Sequence, residues 1–241
     1  MNNSLFFETA DNFEGFNERV ENGIKYRKCT VSEEDSLRLN IIKGDYFSIE
    51  GKSNELTDKL SRELKTYVDR YDKILLVAIG NPYMTSDSLG YETVRKVKLT
   101  ERTIKFFPYV EALTNISSYD AVSGIVSVTS ADCVICIDAL TARSYGRIGK
   151  VYKLTNTGIA AGSGVGTINV PICSETLNLP VIALGVPTVV SAFNLLKDFD
   201  GVSHGGDAEE LSRLIVTPKN INSIIAETSA ILAEVMDKAL E

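Results

Sequence analysis

The fold is decided by the apolar stretch Lys73-Ile-Leu-Leu-Val-Ala-Ile79, which ends at the turn residues Gly80-Asn81-Pro82. A strand that is apolar on both faces is typical of a parallel sheet covered by helices on both sides. Related strand patterns recur at 103–110, 132–137 and 181–186, and helical patterns lie between and after them at 88–98, 117–127, 188–197 and 220–240. This alternation predicts an α/β protein with a doubly wound, mostly parallel sheet flanked by helices.

The sequence before this stretch predicts two more strands, at 24–31 and 45–49, and a helix that begins after Ser53 or Asn54. The helix carries an apolar stripe and runs to about Arg70; the stripe consists of Leu56, Leu60, Leu64 and Val68. Residues 1–22 show no firm period. We therefore expect an N-terminal arm or propeptide over 1–22 and a single α/β domain over 23–241.

Charge and hydropathy exclude several classes of protein. The 241 residues include 25 Lys and Arg against 32 Asp and Glu, which gives a net charge of −7. This balance argues against direct nucleic-acid binding, because such binding needs basic residues that displace counterions from phosphates. No apolar run reaches the length that spans a bilayer, and the N-terminus lacks the pattern of a signal peptide. We expect a cytoplasmic protein with no membrane partner.

The histidine and cysteine content narrows the chemistry further. His204 is the one histidine, so a Ser-His or Cys-His hydrolase would depend on a single imidazole in a glycine-rich loop. Two histidine ligands to one zinc ion cannot come from one chain. Cys133 and Cys136 are three residues apart on a predicted strand and so point to opposite faces, which makes a redox or metal pair improbable. We interpret both as buried apolar residues in a reducing compartment.

Two aspartates follow predicted strands at the edge of the sheet where α/β proteins bind ligands. Asp87 lies in the loop after the 74–79 strand, and Asp138 lies at the end of the 133–137 strand. If these strands are neighbours, both carboxyl groups face one crevice. Asp87 has an alternative role as the N-cap of the next helix. Asp138 would be partly desolvated, so it either holds Arg143 or performs chemistry.

A glycine-rich segment, Thr157-Gly-Ile-Ala-Ala-Gly-Ser-Gly-Val-Gly166, lies between the predicted strands 132–137 and 181–186. It matches neither the dinucleotide fingerprint nor the P-loop, so a nucleotide cradle is only weakly indicated. Glycines also allow a backbone to approach an extended peptide closely, and a flexible connection without a ligand is the third interpretation.

Taken together, five stretches resemble the spore germination protease family. They are Gly80-Asn-Pro-Tyr-Met-Thr-Ser-Asp87-Ser-Leu-Gly90, Ile137-Asp138-Ala-Leu-Thr-Ala-Arg143-Ser144, Asn156 to Gly166, Glu175 to Val190, and Val216-Thr-Pro-Lys219. The resemblance implies an atypical aspartic endopeptidase that uses no metal or cofactor, with a fold like that of the hydrogenase maturation proteases. It assigns the two catalytic carboxyl groups to Asp87 and Asp138. The expected substrate-binding residues in the matching stretches are Gly80, Asn81, Arg143, Gly162, Ser163 and Gly164.

The resemblance also implies a biological setting. The expected substrates are small acid-soluble spore proteins, degraded in the spore core during germination by a zymogen-derived homo-oligomer, with a tetramer favoured. The chain departs from the family pattern in three places: it is shorter before Thr217, residues 108–118 lack the expected glycine run, and residues 6–11 match the processing region only faintly. Two alternatives remain open. One is a non-catalytic spore protein on the same scaffold, and the other is a metal-dependent processing peptidase using Asp87, Asp138 and either Glu92 or His204.

Overall fold

The computed structural model describes residues 13–39, 41–51, 54–109, 116–160, 170–200 and 208–241. Its strands are β1 (Asn17–Glu21), β2 (Ile24–Val31), β3 (Gly44–Glu50), β4 (Ile74–Ala78), β5 (Thr103–Phe106), β6 (Cys133–Ala142), β7 (Val151–Thr155), β8 (Val181–Ser191) and β9 (Ile215–Val216). Its helices are α1 (Glu33–Leu39), α2 (Asn54–Val68), α3 (Leu89–Lys96), α4 (Ser118–Thr129), α5 (Ser174–Leu177), α6 (Ala192–Asp200), α7 (Ala208–Arg213) and α8 (Ile221–Leu240). Single 3₁₀ turns cover Thr85–Asp87 and Tyr145–Arg147.

All the described strands join one sheet, in the order β1-β2-β3-β7-β8-β6-β4-β5, with β9 added to the end of β8. The pairs β8–β6, β6–β4 and β4–β5 are parallel. The strands β1, β2, β3 and β7 extend the sheet on the β8 side through antiparallel pairs. The expected α/β sheet flanked by helices is confirmed. The sheet is mixed, and its parallel part is the four-strand half that contains β4 and β6.

The sheet has an apolar core on each face. One face packs against α2, α3 and α8, and the stripe predicted on α2 is fully buried there, each of its four side chains being at most 1% exposed. The other face packs against α4 and α5. Cys133 belongs to the first core and Cys136 to the second, as the period of a strand predicts. Burial raises the pKa of the Cys133 thiol to about 12 and that of the Cys136 thiol further.

Several elements differ from the sequence expectation. The sheet begins at Asn17, inside the segment expected to form an arm, because β1 pairs with β2 across a turn at Asn22 and Gly23. The predicted helix over 188–197 is wrong at its start: β8 continues to Ser191, and the helix begins at Ala192. The cause is tertiary pairing, since the end of β8 bonds to β6 on one side and to β9 on the other. No described helix is both long and apolar enough to cross a membrane.

Arg102 ties two helix ends together. Its guanidinium donates to the carbonyl oxygens of Val68 and Tyr71 after α2, at 3.2 and 2.6 Å, and to that of Leu240 at the end of α8, at 3.4 Å. The Val68 carbonyl also accepts the Tyr71 N–H at 3.1 Å. A cation is favoured at a helix C-terminus, where α2 and α8 both end beside Arg102.

We expect Arg102→Ala to lower the free energy of unfolding by about 2–3 kcal/mol, because three backbone acceptors lose a charged donor. Urea denaturation at neutral pH measures this change. The matched control is Arg213→Ala, which removes only an exposed ion pair with Glu209 and should cost less than about 0.5 kcal/mol. Equal effects of the two substitutions would contradict a special role for Arg102.

Candidate active site

The site lies where two neighbouring parallel strands end. β4 and β6 pair in register from Ile74 opposite Cys133 to Ala78 opposite Ile137. One residue further, the Ile79 N–H donates to the Ile137 carbonyl oxygen at 2.9 Å. The two strands are thus neighbours, as the sequence interpretation required, and the loop after β4 begins beside Asp138.

The loop after β4 folds back on itself and fixes Asp87. The Asn81 N–H donates to Oδ2 of Asp87 at 2.7 Å. Gly80 has a φ of +105°, and a Cβ at this position would lie 2.1 Å from the Asp87 carbonyl oxygen. A glycine is therefore required here for both reasons. Asp87 ends a 3₁₀ turn, and α3 is preceded by Ser88 with no side-chain cap bond, so the N-cap interpretation of Asp87 is wrong.

Two further contacts hold this loop against the sheet. The Thr188 hydroxyl of β8, which is fully buried, donates to the Ser86 carbonyl oxygen at 2.6 Å. Gly90 in the first turn of α3 lies so close to the strands that a Cβ would be 2.3 Å from the Ile137 oxygen and 2.4 Å from the Ile79 oxygen. The sequence did not predict either of these contacts. Thr188 carries no local signal for this contact, whereas the isolated Gly90 in a helical pattern was an available sign of close packing.

Of the two carboxyl groups, Asp138 has the pKa that is shifted further from its ordinary value. It is half-buried at the end of the apolar part of β6, and its Oδ1 accepts the Ala139 N–H at 2.7 Å. Burial, followed by the charge of Asp87, raises the pKa of Asp138 to about 8, and the Ala139 N–H opposes this shift. Arg143 is not among the groups that act on the Asp138 pKa, so the alternative in which Asp138 serves mainly to hold Arg143 finds no support.

Asp87 is perturbed in the same direction by a similar cause. Burial raises its pKa, and the hydrogen bond from the Asn81 N–H opposes the shift. Two carboxyl groups that interact in a partly desolvated place do not ionise together at neutral pH, and the more strongly shifted one keeps its proton. The arrangement therefore supplies a neutral acid at Asp138 and a carboxylate base at Asp87.

The structure places the other predicted site residues as follows. Gly80 and Asn81 form the turn that holds Asp87. Arg143 is half-buried and directly follows β6. Gly162, Ser163, Gly164 and His204 lie outside the described residues.

The alternative metal site would combine the two aspartates with Glu92 or His204. Glu92 forms an ion pair with Arg95 at 2.7 Å. Among the side chains that the structure describes, no three histidine, cysteine or acidic residues cluster in a way that could hold a metal ion.

The structure is thus an α/β sheet in which Asp138 near the end of β6 and Asp87 in the loop after the neighbouring β4 interact. The family model for germination proteases matches residues 6–202 of this chain. The chain belongs to the germination protease family.

Individual relatives agree with this assignment. The chain is similar to the germination protease of Clostridium acetobutylicum, with 31% identity over 93% of this chain and 82% of the relative. It is 33% identical to the germination protease of Geobacillus sp. strain WCH70, over 79% of this chain and 60% of that protein. For the Bacillus mycoides germination protease the identity is 34%, over 75% of this chain and 57% of that protein. The chain thus aligns with less than two thirds of the length of the last two relatives.

Among solved structures, the fold is similar to a [NiFe] hydrogenase maturation protease, HycI from Thermococcus kodakarensis KOD1. The TM-score is 0.42 and the sequence identity 15%, over 72% of this chain and 98% of that protein.

Proposed function

We propose that this protein is an aspartic endopeptidase that hydrolyses peptide bonds of small acid-soluble spore proteins during spore germination. The observation that carries the proposal is the unequal carboxyl pair, in which the pKa of Asp138 is raised to about 8 next to Asp87. Membership of the germination protease family and the names of its relatives support the same reaction. The chemistry needs no imidazole, thiolate or cofactor.

The two carboxyl groups divide the work of hydrolysis. The Asp87 carboxylate takes a proton from a water molecule as the water oxygen bonds to the peptide carbonyl carbon. The Asp138 carboxylic acid donates a hydrogen bond to the carbonyl oxygen and then gives its proton to the departing amine as the C–N bond breaks. Transfer of the proton from Asp87 to Asp138 restores the starting state.

The surrounding residues complete the proposal. Gly80 and Asn81 shape the loop on which the substrate would lie, and Arg143 borders it at the end of β6. The proposal also includes Gly162, Ser163 and Gly164, on the basis of the sequence, as substrate-binding residues. We include in the proposal a zymogen that assembles into a homotetramer in the spore core. The net charge of −7 argues against direct binding to nucleic acid.

The pH dependence of cleavage tests the proposed roles. Purified protein is incubated with a small acid-soluble spore protein, and fragments are quantified by mass spectrometry between pH 4 and 10. The reaction requires protonated Asp138, so kcat/KM should fall as the pH rises through about 8. The reaction also requires ionised Asp87, whose pKa is raised. As the pH is lowered, kcat/KM should therefore begin to fall at a pH above the usual pKa range of carboxyl groups.

A matched control separates this effect from general pH effects on the protein. Asp69→Asn removes an exposed carboxyl group after α2 and should leave the profile unchanged. A rate that keeps rising to pH 10 would contradict the assignment of Asp138 as the acid. Cleavage that is lost in a chelator and restored by a divalent metal would favour the metal-dependent alternative.

A further inference from the structure

The second half of β6 has an open backbone edge beside Asp138. β4 pairs with β6 as far as Ala78 opposite Ile137, whereas β8 pairs with β6 as far as Ala142. Beyond Ile79 the chain of β4 turns away at Gly80. Within the described part of the chain, residues 138–142 therefore have a neighbouring strand on the β8 side alone.

The alternation of the strand determines which groups point to the open edge. The Ile137 carbonyl faces β4, since it accepts the Ile79 N–H, while the Val134 N–H faces β8 and donates to the Pro180 carbonyl. Backbone groups of successive residues in a strand point to opposite edges. The backbone N–H and C=O groups of odd-numbered residues of β6 therefore point to the edge where β4 lies.

This alternation continues past Asp138. The register between β6 and β8 shifts at Leu140 and Thr141, and the extra residue of this bulge, Thr188, lies on β8. β6 itself stays regular, so Ala139 and Thr141 face the open edge. Both residues are partly exposed among the described residues.

Two backbone groups on this edge are available to a partner. The Ala139 N–H is used by the Asp138 carboxyl group. The Ala139 carbonyl and the Thr141 N–H have no hydrogen-bond partner among the described residues on this side. An acceptor and a donor two residues apart on one edge form the pattern that the N–H and C=O of an extended backbone complement.

We propose that the substrate binds in an extended conformation by adding as a strand to this edge of β6, with main-chain hydrogen bonds to the Ala139 carbonyl and the Thr141 N–H. The inference rests on the proposed peptidase function and specifies its substrate as an unfolded peptide segment. A strand rises about 3.3 Å per residue, so these two groups lie within about 10 Å of Asp138 along the strand. They can thus hold the residues that flank the cleaved bond.

Amide hydrogen exchange tests this docking directly. The probes are 12-residue peptides that tile the sequence of one small acid-soluble spore protein, and the host is Asp138→Asn, which cannot cleave them under the proposed mechanism. The tightest-binding peptide, at saturation, should slow exchange of the Thr141 amide at least 10-fold as measured by NMR. The Leu140 amide faces β8 and serves as the internal control, with unchanged exchange. Unchanged exchange at Thr141, or no binding by any peptide, would overturn the proposal.

Backbone N-methylation of the same peptide gives a second test that leaves the protein intact. Removing single N–H groups in turn should weaken binding about 10-fold at one position and little at the two positions beside it, since the Ala139 carbonyl accepts from a single peptide N–H and neighbouring residues of an added strand point away from β6. Equal losses at all positions would contradict strand addition. Peptide binding with protection of Thr141 but no cleavage by the unmodified protein would leave the docking mode standing and overturn the peptidase function. Cleavage without protection of the Thr141 amide would overturn the docking mode and leave the peptidase function standing.

Discussion

Asp138→Asn is expected to lower kcat/KM for small acid-soluble spore proteins by about 1,000-fold or more and, at the same time, to stabilise the folded protein. The loss of activity follows because asparagine cannot transfer a proton to the departing amine, and a positioned general acid contributes about 100- to 10,000-fold. Fragment quantification by mass spectrometry measures it. Cleavage at the unmodified rate would overturn the proposed role of Asp138.

The stabilisation follows from proton linkage. The unfolded chain releases the Asp138 proton near the ordinary pKa of 3.8, whereas the folded protein holds it to a pKa of about 8. Between these values the folded state binds more protons, so its stability falls as the pH rises. Asparagine removes this dependence. The gain in unfolding free energy should be small near pH 4 and reach on the order of 2–4 kcal/mol at pH 8, allowing for partial exposure to solvent.

Urea denaturation of both proteins across this pH range measures the difference. Asp69→Asn, which changes an exposed carboxyl group, should show no comparable gain. A variant at Asp138 that is less stable than the parent protein at pH 8 would contradict the raised pKa.

Gly90→Ala is expected to destabilise the protein by about 3 kcal/mol or more and to reduce cleavage in whatever fraction remains folded. A Cβ at this position would meet only backbone atoms, at 2.3 Å from the Ile137 oxygen, 2.4 Å from the Ile79 oxygen and 2.8 Å from the Ile79 nitrogen. Backbone atoms cannot move aside as the end of a flexible side chain can, so α3 must shift away from the strands. Asp87, three residues earlier, would shift with it.

Gly124→Ala provides the matched control for this substitution. Gly124 lies within α4, and a Cβ there has no neighbour within 4 Å. Alanine should therefore stabilise this helix by about 0.5–1 kcal/mol. Thermal and urea unfolding of the two variants measure effects of opposite sign. A neutral or stabilising Gly90→Ala would show that the helix is not held at this distance from the sheet.

The sequence predicted the two loops after β4 and β6 as neighbours, but it predicted the rest of the sheet less well. The rule that ligands bind at the carboxyl ends of parallel strands was sufficient to select Asp87 and Asp138, because both follow long apolar strands. The apolar stripe of α2 and the opposite orientations of Cys133 and Cys136 followed from simple periodicity. These features depend on local pattern alone.

The features that were not predicted depend on partners distant in sequence. β7 was not expected, because its short apolar alternation is interrupted by Lys153, which the fold nevertheless buries to 4% exposure. The end of β8 was expected to be helical, and only its pairing with β6 and β9 keeps it extended. The bond from Thr188 to Ser86 joins residues 102 positions apart, a separation that no local pattern encodes.

The two cysteines of β6 can report on unfolding. Thiolates react with alkylating reagents and thiols do not, and the Cys133 and Cys136 thiols are both buried and held far from ionisation. Alkylation at either position therefore requires the structure around it to open. Because Cys133 lies under the helices α2, α3 and α8 while Cys136 lies under α4 and α5, the alkylation rates of the two residues would time the opening of the two layers separately, in a single sample and without an introduced cysteine.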